Sequence, residues 1–168
     1  HLLILDLGKE RLAATSGLYG VPTVWGTIHS FGGQTEIGGD LAAIPESLEA
    51  ARQFPNLVGA GAFPESITNN PVLFELVFES AVTERPISVA AFVEQYVNRR
   101  YGTVSAEAQD AWREMLASVY TARRGDPLMA ARPMLEPDRA NAWAGFRDED
   151  TPDRFFPAWR KLLAAAPK

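Results

Sequence analysis

The 168 residues are 46% hydrophobic and 22% charged, with 13 glycines, 12 prolines and no cysteine. That length and apolar fraction suit a folded domain with a core of its own rather than a disordered chain. Sixteen basic against 21 acidic residues leave a net charge of −5 without a Lys/Arg stripe, so there is no footprint for nucleic acid or an anionic membrane surface.

No apolar run reaches the ~20 residues of a membrane span, and no cationic segment precedes an apolar one. Without Cys there are no disulfides, thiol chemistry or Cys-based zinc sites, and two histidines, one of them at position 1, make no His-rich metal site.

Residues 2–7 (Leu-Leu-Ile-Leu-Asp-Leu) are almost uniformly apolar, as in a strand buried on both faces of a parallel sheet. A buried strand at the very start is expected of a fragment, or of a chain that follows a removed segment. A second run, Val21 to Phe31, is rich in Val, Ile, Thr and Trp and stops at Gly32-Gly33. From Leu41 to Phe54 the spacing turns helical with a break expected near Pro45, after which Leu48, Ala51 and Phe54 share a face. Asn56 to Phe63 reads as a third strand. Asn70-Pro71 then reads as an N-cap with Pro at the first position of a buried helix over 71–82. This alternation predicts an α/β part with a parallel sheet.

After Arg85-Pro86 the pattern becomes all-helical. Ser88 caps a predicted helix that carries Val89, Phe92, Val93, Tyr96, Val97 and Tyr101 and ends at Gly102. Ser105 caps another, with Ala108, Ala111, Trp112, Met115, Leu116, Val119 and Tyr120 in a one-sided stripe. Residues 121–152 read mostly as loop. A last helix is expected from Asp153 to Ala166, which puts Pro157 near its first turn. The boundary between the two parts falls near residue 85.

In parallel α/β folds the functional residues follow the carboxyl ends of the strands. Here those positions are Asp6 and Leu7, then His29, Ser30 and Phe31, then Glu65. Glu65 has no basic neighbour in sequence, and burial would raise its pKa while loop donors would hold it ionised. A solvated loop carboxylate, or a charge favourable to a helix N-terminus, is the plainer alternative. His29 reads either as a satisfied buried histidine or as a pocket residue. Ser30 and His29 point to opposite faces and make no nucleophile–base pair, and no Gly-x-Ser-x-Gly or Gly-x-Gly-x-x-Gly motif is present. Trp25, Phe31 and Phe63 could stack on a sugar ring.

Trp25-Gly-Thr-Ile-His-Ser-Phe-Gly-Gly33 resembles the Trp-x-x-Leu-His-Asn-Phe-Gly-Gly segment of the family 89 glycoside hydrolases, the α-N-acetylglucosaminidases. Val58-Gly-Ala-Gly-Ala-Phe-Pro-Glu-Ser-Ile67 resembles their Val-Gly-x-Gly-x-x-Pro-Glu-Gly-Ile segment. Ile4-Leu-Asp-Leu7, Ala50-Ala-Arg-x-Phe-Pro-Asn56, Arg99-Arg-Tyr-Gly102, Ala111-Trp-Arg113, Ser118-Val-Tyr120, Arg132-Pro133 and Ala158-Trp-Arg160 match in the same order.

The resemblance implies the last strands of a (β/α)8 barrel over 1–85, followed by part of a helical C-terminal domain over 86–168. A complete barrel takes ~250 residues, so this chain would be a fragment of one. It further implies a retaining hydrolase that removes terminal α-linked N-acetylglucosamine. Glu65 takes the nucleophile's place, and the acid/base Glu belongs to an earlier barrel strand. Leu7, Ile28, His29, Ser30 and Phe31 would form the sugar's wall. Ser30 stands where the family has Asn, which loses an amide that donates and accepts at once, and Gln34 also replaces an expected Asn. The implied partner is a glycan ending in N-acetylglucosamine, with no metal or organic cofactor, and the implied location is outside the cytoplasm. The alternative from another class is a non-catalytic module that binds carbohydrate through Trp25 and Phe31, or a protein through its helices.

Overall fold

Three short strands run side by side in chain order. The computed structural model describes residues 2–7, 11–29, 37–64, 70–102, 105–121 and 150–166, the side chains of 150–154 excepted. Among these, contacts divide the chain into two units, His1–Gln34 with Leu41–Ile87, and Thr35–Asp40 with Ser88–Lys168.

In the first unit, β1 (Ile4–Asp6), β2 (Thr23–Thr27) and β3 (Leu57–Ala62) form a parallel sheet in the order β1-β2-β3. Asp6 pairs with Trp25, and Thr27 with Ala62. The strands are shorter than their apolar runs: β2 leaves Val21 and Pro22 before it and Ile28 and His29 after it outside the ladder. A short helix α1 (Arg11–Ala14), which the sequence pattern does not announce, leads into a tight turn over Leu18–Gly20. From Ser16 to Gly20 every residue has positive φ (50°, 80°, 50°, 57° and 77°), a conformation that costs non-glycine residues about 1–2 kcal/mol each. The turn is held from outside. Asn56 Nδ2 donates to the carbonyls of Gly17 (2.8 Å) and Val21 (2.6 Å), and Leu18 N–H donates to Thr15 Oγ1 (3.0 Å).

Helix α2 (Ala43–Arg52) joins β2 to β3, and α3 (Pro71–Val82) follows β3. Pro45 does not break α2. It lies in the first turn, where a backbone N–H has no partner within the helix, so its lack of one costs nothing. Ile44, Pro45, Leu48 and Ala51 of α2 and Val72, Leu73, Leu76 and Val77 of α3 are buried. Arg52 ties the two helices together: its Nη2 donates to the carbonyls of Ser80 (2.8 Å), Ala81 (3.3 Å) and Thr83 (2.8 Å), which α3 leaves unpaired at its end. Glu49 forms an ion pair with the same guanidinium.

The second unit is helical: α4 (Val89–Tyr101), α5 (Ala106–Leu116) and α6 (Asp150–Ala165). Ser88 Oγ accepts from Ala91 N–H (3.5 Å) and Ser105 Oγ from Ala108 N–H (3.2 Å), as their sequence positions predict, and Gly102 ends α4 at φ 67°. Gln109 Nε2 bridges α5 to α4 through Glu94 O and Asn98 Oδ1, both at 2.9 Å. Phe92, Tyr96, Trp112 and Tyr120 form a continuous aromatic core, and Trp112 Nε1–H donates to Tyr101 Oη (3.1 Å). The α5 stripe is buried except for the half-buried Leu116. The helix stops at Leu116, yet Val119 and Tyr120 in the following turn stay in the core. Helix α6 packs on α5 through the buried Phe155 and Ala158, with a Lys161–Glu114 ion pair. It begins at Asp150, earlier than the Asp153 expected, so Pro157 falls inside the helix rather than near its first turn. The loop expected over 121–152 lies outside the described residues from 122 to 149.

Candidate active site

Parallel strands put all their carboxyl ends at one edge, and that edge carries the described candidate residues. Leu7 follows β1 and Ile28 and His29 follow β2, while Phe63 and Pro64 follow β3 and lead into Glu65 in sequence. Phe63 N–H donates to Thr27 O (2.9 Å), which carries the β2–β3 pairing to the brink of the site. Leu7 is 37% exposed, and Ile28 and His29 are half-buried. The structure therefore brings Leu7, Ile28 and His29 to one edge of the sheet. Ser30, Phe31 and Glu65 lie outside the described residues.

The approach to this edge is tightly packed. A Cβ on Gly26 would overlap the Phe63 ring and come within 2.6 Å of Gly61 O, so the glycine in Trp25-Gly-Thr is required by the close passage of β3. Trp25 is no sugar platform: it is 2% exposed, and its indole N–H donates to Ser47 Oγ of α2 (3.0 Å). Its apolar surface belongs to the packing between sheet and helix. Asp6, at the end of β1, is buried as well.

Two residues join the site that the sequence pattern assigns elsewhere. Asn70 Nδ2 lies 3.4 Å from His29 Nε2, and the Phe74 ring meets the imidazole edge-on, at 6.2 Å and 82°. Asn70 reads in sequence as a helix cap and Phe74 as core. It does occupy the N-cap position of α3, but its side chain makes no capping bond. Only the pairing of His29 with a residue 41 positions away could reveal its other use. Among the described residues no group of three or more His, Asp or Glu could hold a metal ion, and no helix is long and apolar enough to cross a membrane.

Residues 1–84 match the family described as the alpha-N-acetylglucosaminidase (NAGLU) tim-barrel domain, and residues 92–168 match the NAGLU C-terminal domain. The chain belongs to the α-N-acetylglucosaminidase family. It is 38% identical over 180 residues to human alpha-N-acetylglucosaminidase, a match that covers 99% of this chain and 23% of the human protein. It is similar in structure to the family 89 glycoside hydrolase of Clostridium perfringens in complex with 2-acetamido-1,2-dideoxynojirmycin (TM-score 0.79, 26% identity, 96% of this chain and 19% of that chain). It is likewise similar to the enzyme from that organism with two Glu→Gln replacements, in complex with its substrate GlcNAc-alpha-1,4-galactose (TM-score 0.75, 28% identity). The chain thus spans about a fifth of these relatives, 23% and 19% of their lengths.

Proposed function

We propose that these residues belong to a retaining glycoside hydrolase that removes terminal α-linked N-acetylglucosamine from a glycan. In this reading residues 1–85 supply the last strands of a (β/α)8 barrel and residues 86–168 part of its helical C-terminal domain. Glu65 is the nucleophile, and Leu7, Ile28, His29, Ser30 and Phe31 wall the sugar. The observation that carries the reading is the convergence of Leu7, Ile28 and His29 on the carboxyl edge of a parallel sheet, in a chain that belongs to this family.

Retention requires two carboxyl groups ~5–5.5 Å apart. Glu65 attacks the anomeric carbon while a glutamic acid protonates the departing oxygen, and the bond to the aglycone breaks as the glycosyl-enzyme ester forms. Water, deprotonated by the same second carboxylate, then cleaves the ester and releases the sugar. The second carboxylate is assigned to an earlier barrel strand outside residues 1–168. A relative with two glutamates replaced by glutamine, in complex with its substrate, supports chemistry that turns on two such groups. The enzyme would work outside the cytoplasm, where such glycans are met, and the residues here need no organic cofactor for these steps.

The test is Glu65→Gln in the polypeptide that joins these residues to the upstream barrel strands, with an aryl α-N-acetylglucosaminide as substrate. The expected result is a loss of several orders of magnitude in kcat, because the covalent step disappears. Turnover near that of the unaltered enzyme overturns the assignment.

A further inference from the structure

We propose that Asn70 is a positioning residue that sets the orientation and tautomer of His29. The proposal rests on the reading that His29 lines the sugar site, and it names the residue that holds the wall in place.

Asn at a helix N-cap ordinarily turns its side-chain oxygen back to a backbone N–H of the first turn. Ser88 and Ser105 do so at the starts of α4 and α5. Asn70 does not, although its backbone is extended (φ −95°, ψ 94°) and its carbonyl accepts from Leu73 N–H (3.2 Å) and Phe74 N–H (3.3 Å). The residue is 5% exposed, and its side chain is directed instead at His29. A buried amide withheld from the cap next to it serves another partner.

The chemistry of that partner follows from the atoms. An amide nitrogen only donates, and an imidazole nitrogen accepts only through a free lone pair. The 3.4 Å contact between Asn70 Nδ2 and His29 Nε2 is thus a hydrogen bond when Nε2 is unprotonated, which puts the neutral ring's proton on Nδ1. Phe74, one turn further along α3, fixes the ring plane by its edge-on contact. Both restraints stand on the helix that follows the Glu65 segment. One element therefore sets the histidine that presents a donor at Nδ1 and starts where the nucleophile's loop ends.

The test has a spectroscopic and a kinetic arm. In the polypeptide with its upstream strands, the 15N imidazole signals of His29 are assigned by their loss in His29→Ala. Above the ring's titration range the expected pattern is the Nδ1–H tautomer. Asn70→Asp, which keeps the shape but can only accept, moves the proton to Nε2. In the polypeptide with its upstream strands, Asn70→Ala lowers kcat/KM for the aryl substrate by about tenfold, mainly through KM. The double variant with His29→Ala is no worse than His29→Ala alone. An Nε2–H tautomer in the unaltered protein, an unchanged pattern in Asn70→Asp, or losses that multiply in the double variant each overturn the proposal. If the unaltered protein fails to cleave the substrate, the proposed function falls, while the imidazole spectra still decide whether Asn70 governs His29.

Discussion

Gly26 stands where a methyl group has no room. The Phe63 ring and the Gly61 carbonyl close over it, and Phe63 leads directly into the segment of Glu65. Gly26→Ala is expected to cost about 1–3 kcal/mol, the usual range for overpacking, read as a lower midpoint in chemical denaturation with an unchanged slope. The same scale shows what sequence can and cannot reveal. Ser88 and Ser105 are legible as caps because capping is a local bond between near neighbours, and the structure makes both bonds. Asn70 carries the same signal, yet its side-chain nitrogen lies against a histidine 41 residues away, and no local rule distinguishes the two uses. Trp25 is misread for a related reason: an aromatic near a strand end can face a ligand or a helix, and only the position of Ser47 decides.

The order of the helices and strands follows from periodicity, and α3, α4 and α5 begin where their Asn-Pro and Ser signals stand. What escapes is the stretch with weak periodicity. The left-handed residues after α1 are held by Asn56, a tertiary partner. Helix α6 also starts before its apolar stripe does, so Pro157 sits within it instead of at its edge. There proline removes a helical hydrogen bond and crowds the preceding turn, at a cost of about 3 kcal/mol. Pro157 is exposed, so Pro157→Ala gives up no packing. The substitution is expected to stabilise the helical unit, raising its Tm by several degrees in a thermal melt followed by circular dichroism.

At the scale of the molecule, one face of the sheet of the first unit is exposed along β1. Leu5 of β1 and its flanking Leu3 and Leu7 are 54%, 53% and 37% exposed, whereas Asp6 between Leu5 and Leu7 is buried. In a barrel that face is interior, covered by side chains from other strands. Leu5→Lys should therefore act in opposite directions. In the 168-residue chain it should reduce self-association measured by light scattering, since it breaks an exposed apolar stripe at a sheet edge. If, as proposed, upstream strands complete a barrel, the same substitution in that longer polypeptide should lower stability and activity together, because a charge would enter the barrel core. The sheet has one further consequence. Its strands lie in space in the order in which they occur in the chain, so during synthesis β2 and β3 each leave the ribosome with the preceding partner already made. The sheet can lengthen by addition at one side, with no late segment threaded between two earlier ones.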